Sequence, residues 1–284
     1  MHLRRIAWPL YSAADSNLLG YRVSLAAMIL CLWFGFDESK HGWGAMRPTL
    51  LCLSSALFHI AGTVFPALGC VDVALVLAVD GSDSVDEGEY RFQTSSIATA
   101  FRDKAVLHAM KGAGIVAVSA VFWGDGQLPS QELDWVVVNR GEGAEFFARK
   151  IETNLRAVYG NTDIGNGIWA ALDRLSSSDL CARRSVIDIS GDGRETLGPK
   201  RENVISLHHA RRRAKEMRVT INGLAISDDG GDLARYYAGH VVLGSDAFVM
   251  HINKYADYSV AIRKKLVAEL SYGASGYFAF DEAR

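Results

Sequence analysis

The chain contains 284 residues, of which 49% are hydrophobic, and its formal net charge is −2. This length and composition suit one sizeable α/β domain plus an additional apolar segment, and they exclude a disordered chain. The small net charge provides no general attraction to nucleic acid or to anionic lipid. The basic run 211–213, with Lys215 and Arg218, lies on a predicted helix and is interpreted as the solvent-exposed face of that helix.

Two apolar stretches precede the predicted domain. Residues 49–69 are long enough to span a bilayer, and they also resemble a signal peptide that ends in Ala67-Leu68-Gly69. Residues 24–36 are apolar too, but they are short for a membrane span. We interpret Met46 as the true start of the protein, and the alternative is a membrane hairpin formed by both stretches.

The expected organisation therefore has four parts. Residues 1–45 are either a mis-assigned extension or a membrane segment, and residues 46–69 are a signal peptide or a membrane anchor. Residues 70–272 form the domain, and residues 273–284 form a tail. This organisation predicts export to the periplasm or the cell envelope, with membrane contact only through the N-terminal segment.

Beyond residue 70, apolar runs alternate with amphipathic segments. Residues 73–79 are apolar throughout, which is typical of a parallel strand that helices cover on both faces. The alternation favours an α/β fold with a doubly wound, mostly parallel central sheet flanked by helices. Further strands are predicted at residues 114–123, 133–138, 185–189, 219–226 and 241–243, and helices at residues 87–110, 144–155, 202–217 and 255–270 and after Thr162.

A polar turn, Asp80-Gly81-Ser82-Asp83-Ser84, directly follows the first predicted strand. Its carboxylate and hydroxyl oxygens are hard ligands of the kind that Mg²⁺ prefers. Ligands of parallel sheets bind beyond the carboxyl ends of the strands, so this turn faces the functional edge. Two later segments, one around Thr162 and one around Asp192, are interpreted as loops at the same edge.

This order of residues resembles the metal-ion-dependent adhesion site of von Willebrand factor type A domains. The resemblance implies one divalent ion, Mg²⁺ or Mn²⁺, which is bound partly through water. It also implies the ligand set, which is Asp80, Ser82, Ser84, Thr162 and Asp192. One position differs, because Gly191 precedes Asp192 where animal adhesion domains commonly carry a threonine.

Further motifs extend the resemblance over residues 70–272. The segments 186–193, 221–226, 236–237, 244–248 and 262–266 are similar to a bacterial family of uncharacterised exported proteins built on this domain. The resemblance implies a non-enzymatic binding module at the cell envelope, whose ion coordinates a carboxylate of a protein partner. The alternative is a metal-assisted hydrolase. None of the eight histidines lies in the three metal segments, so the sequence offers no evident general base.

Two of the four cysteines, Cys70 and Cys181, belong to the domain. In the type A arrangement, the strands that follow them are parallel neighbours, which places both cysteines at the edge away from the metal. A Cys70–Cys181 disulfide is therefore expected in an exported protein. The alternative is lipidation of Cys70, because Ala67-Leu68-Gly69-Cys70 also resembles a lipoprotein cleavage box.

Four more residues near the loops have roles that the sequence leaves partly open. Asp163 is expected to cap the helix that follows it, since a carboxylate is favourable at a helix N-terminus, and the alternative is a hydrogen bond that supports the ion ligands. Asp188 is either paired in the core or turned to an edge. Trp123 either packs in the core or lines a partner surface. Glu195 follows the Asp192 turn and is a candidate for the rim of the site.

Overall fold

The computed structural model describes residues 70–176, 180–196, 202 and 204–271. The predictions for residues 1–69 and for the tail at 273–284 lie outside these residues. Within the described ranges, none of the helices combines the length and the apolar character needed to cross a membrane.

Six strands in the described residues form a single sheet. They are β1 at Val71–Asp80, β2 at Ile115–Trp123, β3 at Gln131–Asn139, β4 at Ala182–Gly191, β5 at Thr220–Ile226 and β6 at Val249–Ile252. Their order across the sheet is β3-β2-β1-β4-β5-β6. All neighbouring pairs are parallel except β2 and β3, which are antiparallel. The predicted α/β class with a mostly parallel sheet is therefore confirmed.

The helices in the described residues are α1 at Glu87–Arg102, α2 at Lys104–Ala113, α3 at Ala144–Glu152, α4 at Ile164–Leu175, α5 at Leu207–Glu216, α6 at Asp232–Tyr236 and α7 at Tyr258–Ser271. They cover both faces of the sheet, and successive side chains of β1 point to opposite faces. Leu75 and Leu77 pack with α1, α2, α3 and α7, while Ala74 and Val76 pack with α4, α5 and α6. Burial on both faces explains why residues 73–79 of β1 are all apolar.

The single helix predicted over residues 87–110 is two helices. Asp103 separates α1 from α2 with an extended backbone, at φ −72° and ψ 138°. Its carboxylate accepts a hydrogen bond of 2.8 Å from the backbone N–H of Ala105, so it caps α2. The apolar periodicity continues across the break, which is why the pattern alone did not reveal it.

The strand predicted at residues 241–243 is wrong. Val241 ends a π-helical turn at Tyr237–Val241, and Leu243 forms only an isolated bridge with Ile221. The last strand is β6, which pairs with β5 from Gly223↔Val249 onwards. The apolar triplet correctly indicated burial, but a short apolar run does not distinguish a strand from another buried segment.

A disulfide joins Cys70 to Cys181, as expected, with their Cα atoms 4.5 Å apart. The two cysteines directly precede β1 and β4, whose register pairs Val71 with Ala182. The bridge therefore ties the two middle strands together at their amino ends. It lies at the edge of the sheet opposite the polar turn that follows β1.

A buried charge cluster attaches α7 to the sheet. Lys265 Nζ lies 2.5 Å from Asp188 Oδ1 of β4 and 2.8 Å from Glu269 Oε1. Asn222 of β5 donates a hydrogen bond of 3.0 Å to the same Glu269 oxygen. Asp188 is therefore paired in the core, which settles its role. Burial, together with the charge of Asp188, raises the pKa of Glu269 to about 8, so the neutral form of this acid is favoured at pH 7.

Lys265→Met should lower the free energy of unfolding by about 3–5 kcal/mol, because it leaves the Asp188 carboxylate buried without a cation. Chemical denaturation at pH 7 measures the loss. Asp188→Asn in the same chain should recover part of it, since the two residues are in direct contact. An unchanged unfolding midpoint in Lys265→Met would show that the cluster does not hold α7 in place.

The raised pKa of Glu269 also predicts a pH dependence. Its contribution to stability is fully present below the ordinary pKa of 4.5 and is lost as the pH rises through about 8. Glu269→Gln mimics the neutral acid, so this variant should lose less stability than the wild type between pH 5 and pH 8. Denaturation curves of both proteins across this range test it, and parallel curves would contradict the assignment.

Candidate metal centre

Three loops meet at the carboxyl edge of the sheet. The first follows β1 and contains Asp80, Ser82 and Ser84, and the second contains Thr162 just before α4. The third contains Asp192 and follows β4. Because β1 and β4 are parallel neighbours, the loops that follow them leave the sheet at the same end.

A chain of hydrogen bonds connects the hydroxyl groups of these loops. Thr162 Oγ1 donates to Ser82 Oγ at 3.3 Å, and Ser82 Oγ lies 3.1 Å from Ser84 Oγ. Ser84 Oγ then donates to Asp192 Oδ1 at 2.6 Å. Four of the five residues expected at the ion are therefore in direct contact with one another, although Thr162 and Asp192 are distant from the first loop in sequence.

Asp80, the fifth residue, is completely buried at the end of β1. Its Oδ1 accepts a hydrogen bond of 2.8 Å from the backbone N–H of Ser82, whereas its Oδ2 has no hydrogen-bond partner among the described residues. Burial, and then the negative charge of Asp192, raises the pKa of Asp80 to about 7. A cation beside the two carboxylates would counter both effects.

The donor set fits a hard divalent cation. It consists of two carboxylates and three hydroxyls, and the unpartnered Asp80 Oδ2 adds a buried oxygen with no other bond to make. No group of three histidine, cysteine or acidic residues converges anywhere in the described part of the chain. Hydroxyl ligands explain this result, since serine and threonine are three of the five residues in the set.

Arg156 holds the first loop in place, and sequence reasoning missed it. Its Nη2 donates hydrogen bonds of 2.9 Å and 2.8 Å to the backbone carbonyls of Gly81 and Ser82. Its guanidinium also lies over the rings of Tyr90 and Tyr159. Arg156 stands in an irregular segment after α3, where no periodicity marks it.

Tyr255 is a second residue that the sequence did not indicate. Its hydroxyl donates to Asp192 Oδ2 at 3.3 Å. Because Ser84 donates to the other oxygen of the same carboxylate, Asp192 is held from two sides. The prediction for this region was only the beginning of the last helix.

The remaining residues predicted near the loops have structural positions. Asp163 precedes α4 but its side chain makes no capping hydrogen bond to this helix, so its predicted capping role is wrong. Its Oδ2 instead accepts a 2.6 Å hydrogen bond from the Gly126 backbone N–H. Glu195 accepts a hydrogen bond of 3.0 Å from the Gly165 N–H, and burial raises its pKa to about 7. Trp123 is 1% exposed and therefore belongs to the core.

Comparisons with known proteins agree with this architecture. Residues 70–274 match the family described as "Protein of unknown function (DUF1194)". A search of curated proteins found no match.

Among solved structures, proximal thread matrix protein 1 from the mussel byssus is 16% identical with a TM-score of 0.50, over 71% of this chain and 48% of that one. The same mussel protein is described in another structure as having a zinc-occupied MIDAS motif.

Two other solved structures are similar. The pilus adhesin SpaC from Lactobacillus rhamnosus GG is 12% identical with a TM-score of 0.48, over 69% of this chain and 30% of that one. A von Willebrand factor type A protein from Catenulispora acidiphila is 13% identical with a TM-score of 0.49, over 72% and 43%. These three matches span less than half of the solved chain in each case. The fold is von Willebrand factor A-like, as the motifs predicted.

Arg156→Ala should weaken Mg²⁺ binding about tenfold, because the loop that carries Ser82 and Ser84 loses two charge-assisted hydrogen bonds. Titration calorimetry with Mg²⁺ measures the change. Arg183→Ala is the matched control, since Arg183 is 77% exposed and its partner Asp72 lies at the opposite edge. Equal Mg²⁺ affinity in the wild type and Arg156→Ala would show that this arginine does not support the loop.

Proposed function

The chain belongs to the DUF1194 family, and on that premise we propose that it is a non-enzymatic, metal-dependent binding module of the cell envelope. A divalent ion, Mg²⁺ or Mn²⁺, binds at the carboxyl edge of the sheet. Its ligands, some of them through water, are Asp80, Ser82, Ser84, Thr162 and Asp192. The ion in turn coordinates an acidic group of a protein partner.

The observation that carries this proposal is the chain of hydrogen bonds from Thr162 through Ser82 and Ser84 to Asp192. Three loops that are far apart in sequence bring oxygen atoms to one point. An ordinary turn after β1 requires none of the contacts with Thr162 or Asp192. Their convergence supports a shared ligand.

The exposure of the cluster indicates where a partner binds. Asp80 and Ser82 are buried, Thr162 and Asp192 are half-buried, and Ser84 is exposed. One side of the ion would therefore be accessible from solvent. With only two carboxylates in the set, the site carries no net negative charge once a divalent ion is bound, so a carboxylate from another protein can join as an additional ligand without facing an excess of negative charge.

Metal-assisted hydrolysis is the alternative activity. It requires a general base near the ion, and the five histidines in the described residues make no hydrogen bond to the ligand set. His251, for example, bonds to the Ser227 carbonyl at 2.9 Å. Binding is therefore the better-supported function, and turnover of phosphate and ester substrates that depends on Mg²⁺ would favour hydrolysis instead.

Export is part of the same proposal. A disulfide between Cys70 and Cys181 is typical of proteins in oxidising compartments such as the periplasm and the cell surface. Residues 46–69, as a signal peptide or anchor, would deliver the domain there. Cys70 within a disulfide is unavailable for lipidation, so we favour export without a lipid at this cysteine.

Asp192→Ala tests the proposed ion site. Binding to the native state raises the thermal midpoint of the wild type when Mg²⁺ is added, and the variant should lose most of that rise. The variant should stay folded without Mg²⁺, because removing one of two neighbouring carboxylates relieves their repulsion. Differential scanning calorimetry with and without Mg²⁺ gives both readings.

Asp246→Ala is the matched control, since Asp246 is exposed and precedes β6 at the opposite edge of the sheet. It should keep the full Mg²⁺ response. Pull-down from envelope extract should recover a partner with wild type and Asp246→Ala, and EDTA should abolish this recovery. An equal Mg²⁺-dependent rise in wild type and Asp192→Ala would contradict the site.

A further inference from the structure

Gly191, which ends β4, leaves room for two oxygen atoms from other elements. A Cβ atom at this position would lie 2.6 Å from the Tyr237 hydroxyl and 2.9 Å from Asp80 Oδ2. Real Cβ atoms do not approach other atoms this closely, so a side chain here would displace one of the two groups. The phenol and the carboxylate therefore face the same small space beside Gly191.

The Tyr237 ring reaches this space by crossing the adjacent strand. A Cβ atom at Gly223 of β5 would lie 3.0 Å from Tyr237 Cδ1. Glycines on two neighbouring strands thus leave room for the ring beside β5 and for its hydroxyl beside β4. Tyr237 also begins the π-helical turn that follows α6. Such turns are rare in proteins, and those that occur often lie at functional sites.

Both oxygens in this space are buried and unsatisfied. Tyr237 and Asp80 are each 0% exposed, and within the part of the chain that the structure describes neither the phenol hydroxyl nor Asp80 Oδ2 has a hydrogen-bond partner. Two unpaired buried polar atoms at one place are unfavourable unless something joins them. A phenol hydroxyl carries its proton at neutral pH, so it can donate a hydrogen bond to the carboxylate.

We propose that Tyr237 is a positioning residue of the metal centre, whose hydroxyl donates to Asp80 Oδ2, directly or through one water, when the ion is bound. The hydroxyl takes the place of one that a serine or threonine at position 191 would supply. This inference rests on the proposed function, because it assigns a further residue to the same ion site.

Tyr237→Phe removes only the hydroxyl and separates this role from a packing role. Without Mg²⁺ the thermal midpoint should be unchanged or slightly higher, because the lost hydroxyl is unpaired. The Mg²⁺ affinity, measured by titration calorimetry, should fall about tenfold, the usual effect of one charge-assisted hydrogen bond. Tyr258→Phe is the matched control, since Tyr258 is also fully buried and its hydroxyl lies 3.5 Å from Ser190 Oγ, outside the ligand set.

Gly191→Ser gives a second, independent reading. In the wild-type background it should weaken Mg²⁺ binding, because the new Cβ displaces the Tyr237 hydroxyl. In the Tyr237→Phe background it should strengthen Mg²⁺ binding, because the serine hydroxyl then stands beside Asp80 Oδ2. Gly191→Ala in the Tyr237→Phe background is the packing control, because it adds the same Cβ without a hydroxyl and should not strengthen Mg²⁺ binding. The comparison remains measurable if either single variant is less stable.

The outcomes distinguish this inference from the proposed function. A tenfold loss in Tyr237→Phe with the reversal at position 191 supports the inference. A lower midpoint without Mg²⁺ but wild-type affinity in Tyr237→Phe overturns it and leaves the ion site intact, provided that Asp192→Ala still abolishes Mg²⁺ binding. Absence of any Mg²⁺ response in the wild type overturns both.

Discussion

The main physical constraint on the candidate metal centre is a carboxylate that is buried without a cation. Asp80 lies at the end of the middle strand, fully enclosed, and no salt bridge joins it to a basic group among the described residues. Burial of an uncompensated charge is unfavourable, and the neighbouring Asp192 increases the cost. A divalent cation that completes this environment would explain three features of the site. These are the surrounding hydroxyls, the loop that Arg156 holds and the free Asp80 oxygen.

The rest of the fold keeps this edge in a fixed position. The disulfide joins β1 and β4 at their amino ends, and these same strands carry Asp80 and Asp192 at their carboxyl ends. Lys265 binds α7 to Asp188 in the middle of β4. The two strands that lead to the site are thus fixed at their amino ends and, in β4, along their length. A preorganised ion site requires such support.

Regular features of the domain could be predicted from sequence because they have periodic or local signals. The continuous apolar run of β1 indicated a strand buried on both faces, and the polar turn behind it indicated the ligand loop. Arg156 had no such signal, because it stands in an irregular segment. Tyr237 was marked only as part of the 236–237 motif, which indicated a resemblance but no role. The strand wrongly predicted at residues 241–243 shows another limit, since apolar residues indicate burial but do not determine the backbone conformation. Asp163 shows a related limit, because its carboxylate turned to the Gly126 backbone instead of its own helix.

The most direct test of the account is the position of a bound ion. Mn²⁺ scatters anomalously, so a crystal of the protein grown with Mn²⁺ should show one strong anomalous peak at the carboxyl edge of the sheet. The account predicts a peak within coordination distance of the Ser82 and Ser84 hydroxyls, with Asp80, Thr162 and Asp192 around it directly or through water. A strongest peak elsewhere on the domain, or no peak at this edge at saturating Mn²⁺, would contradict it.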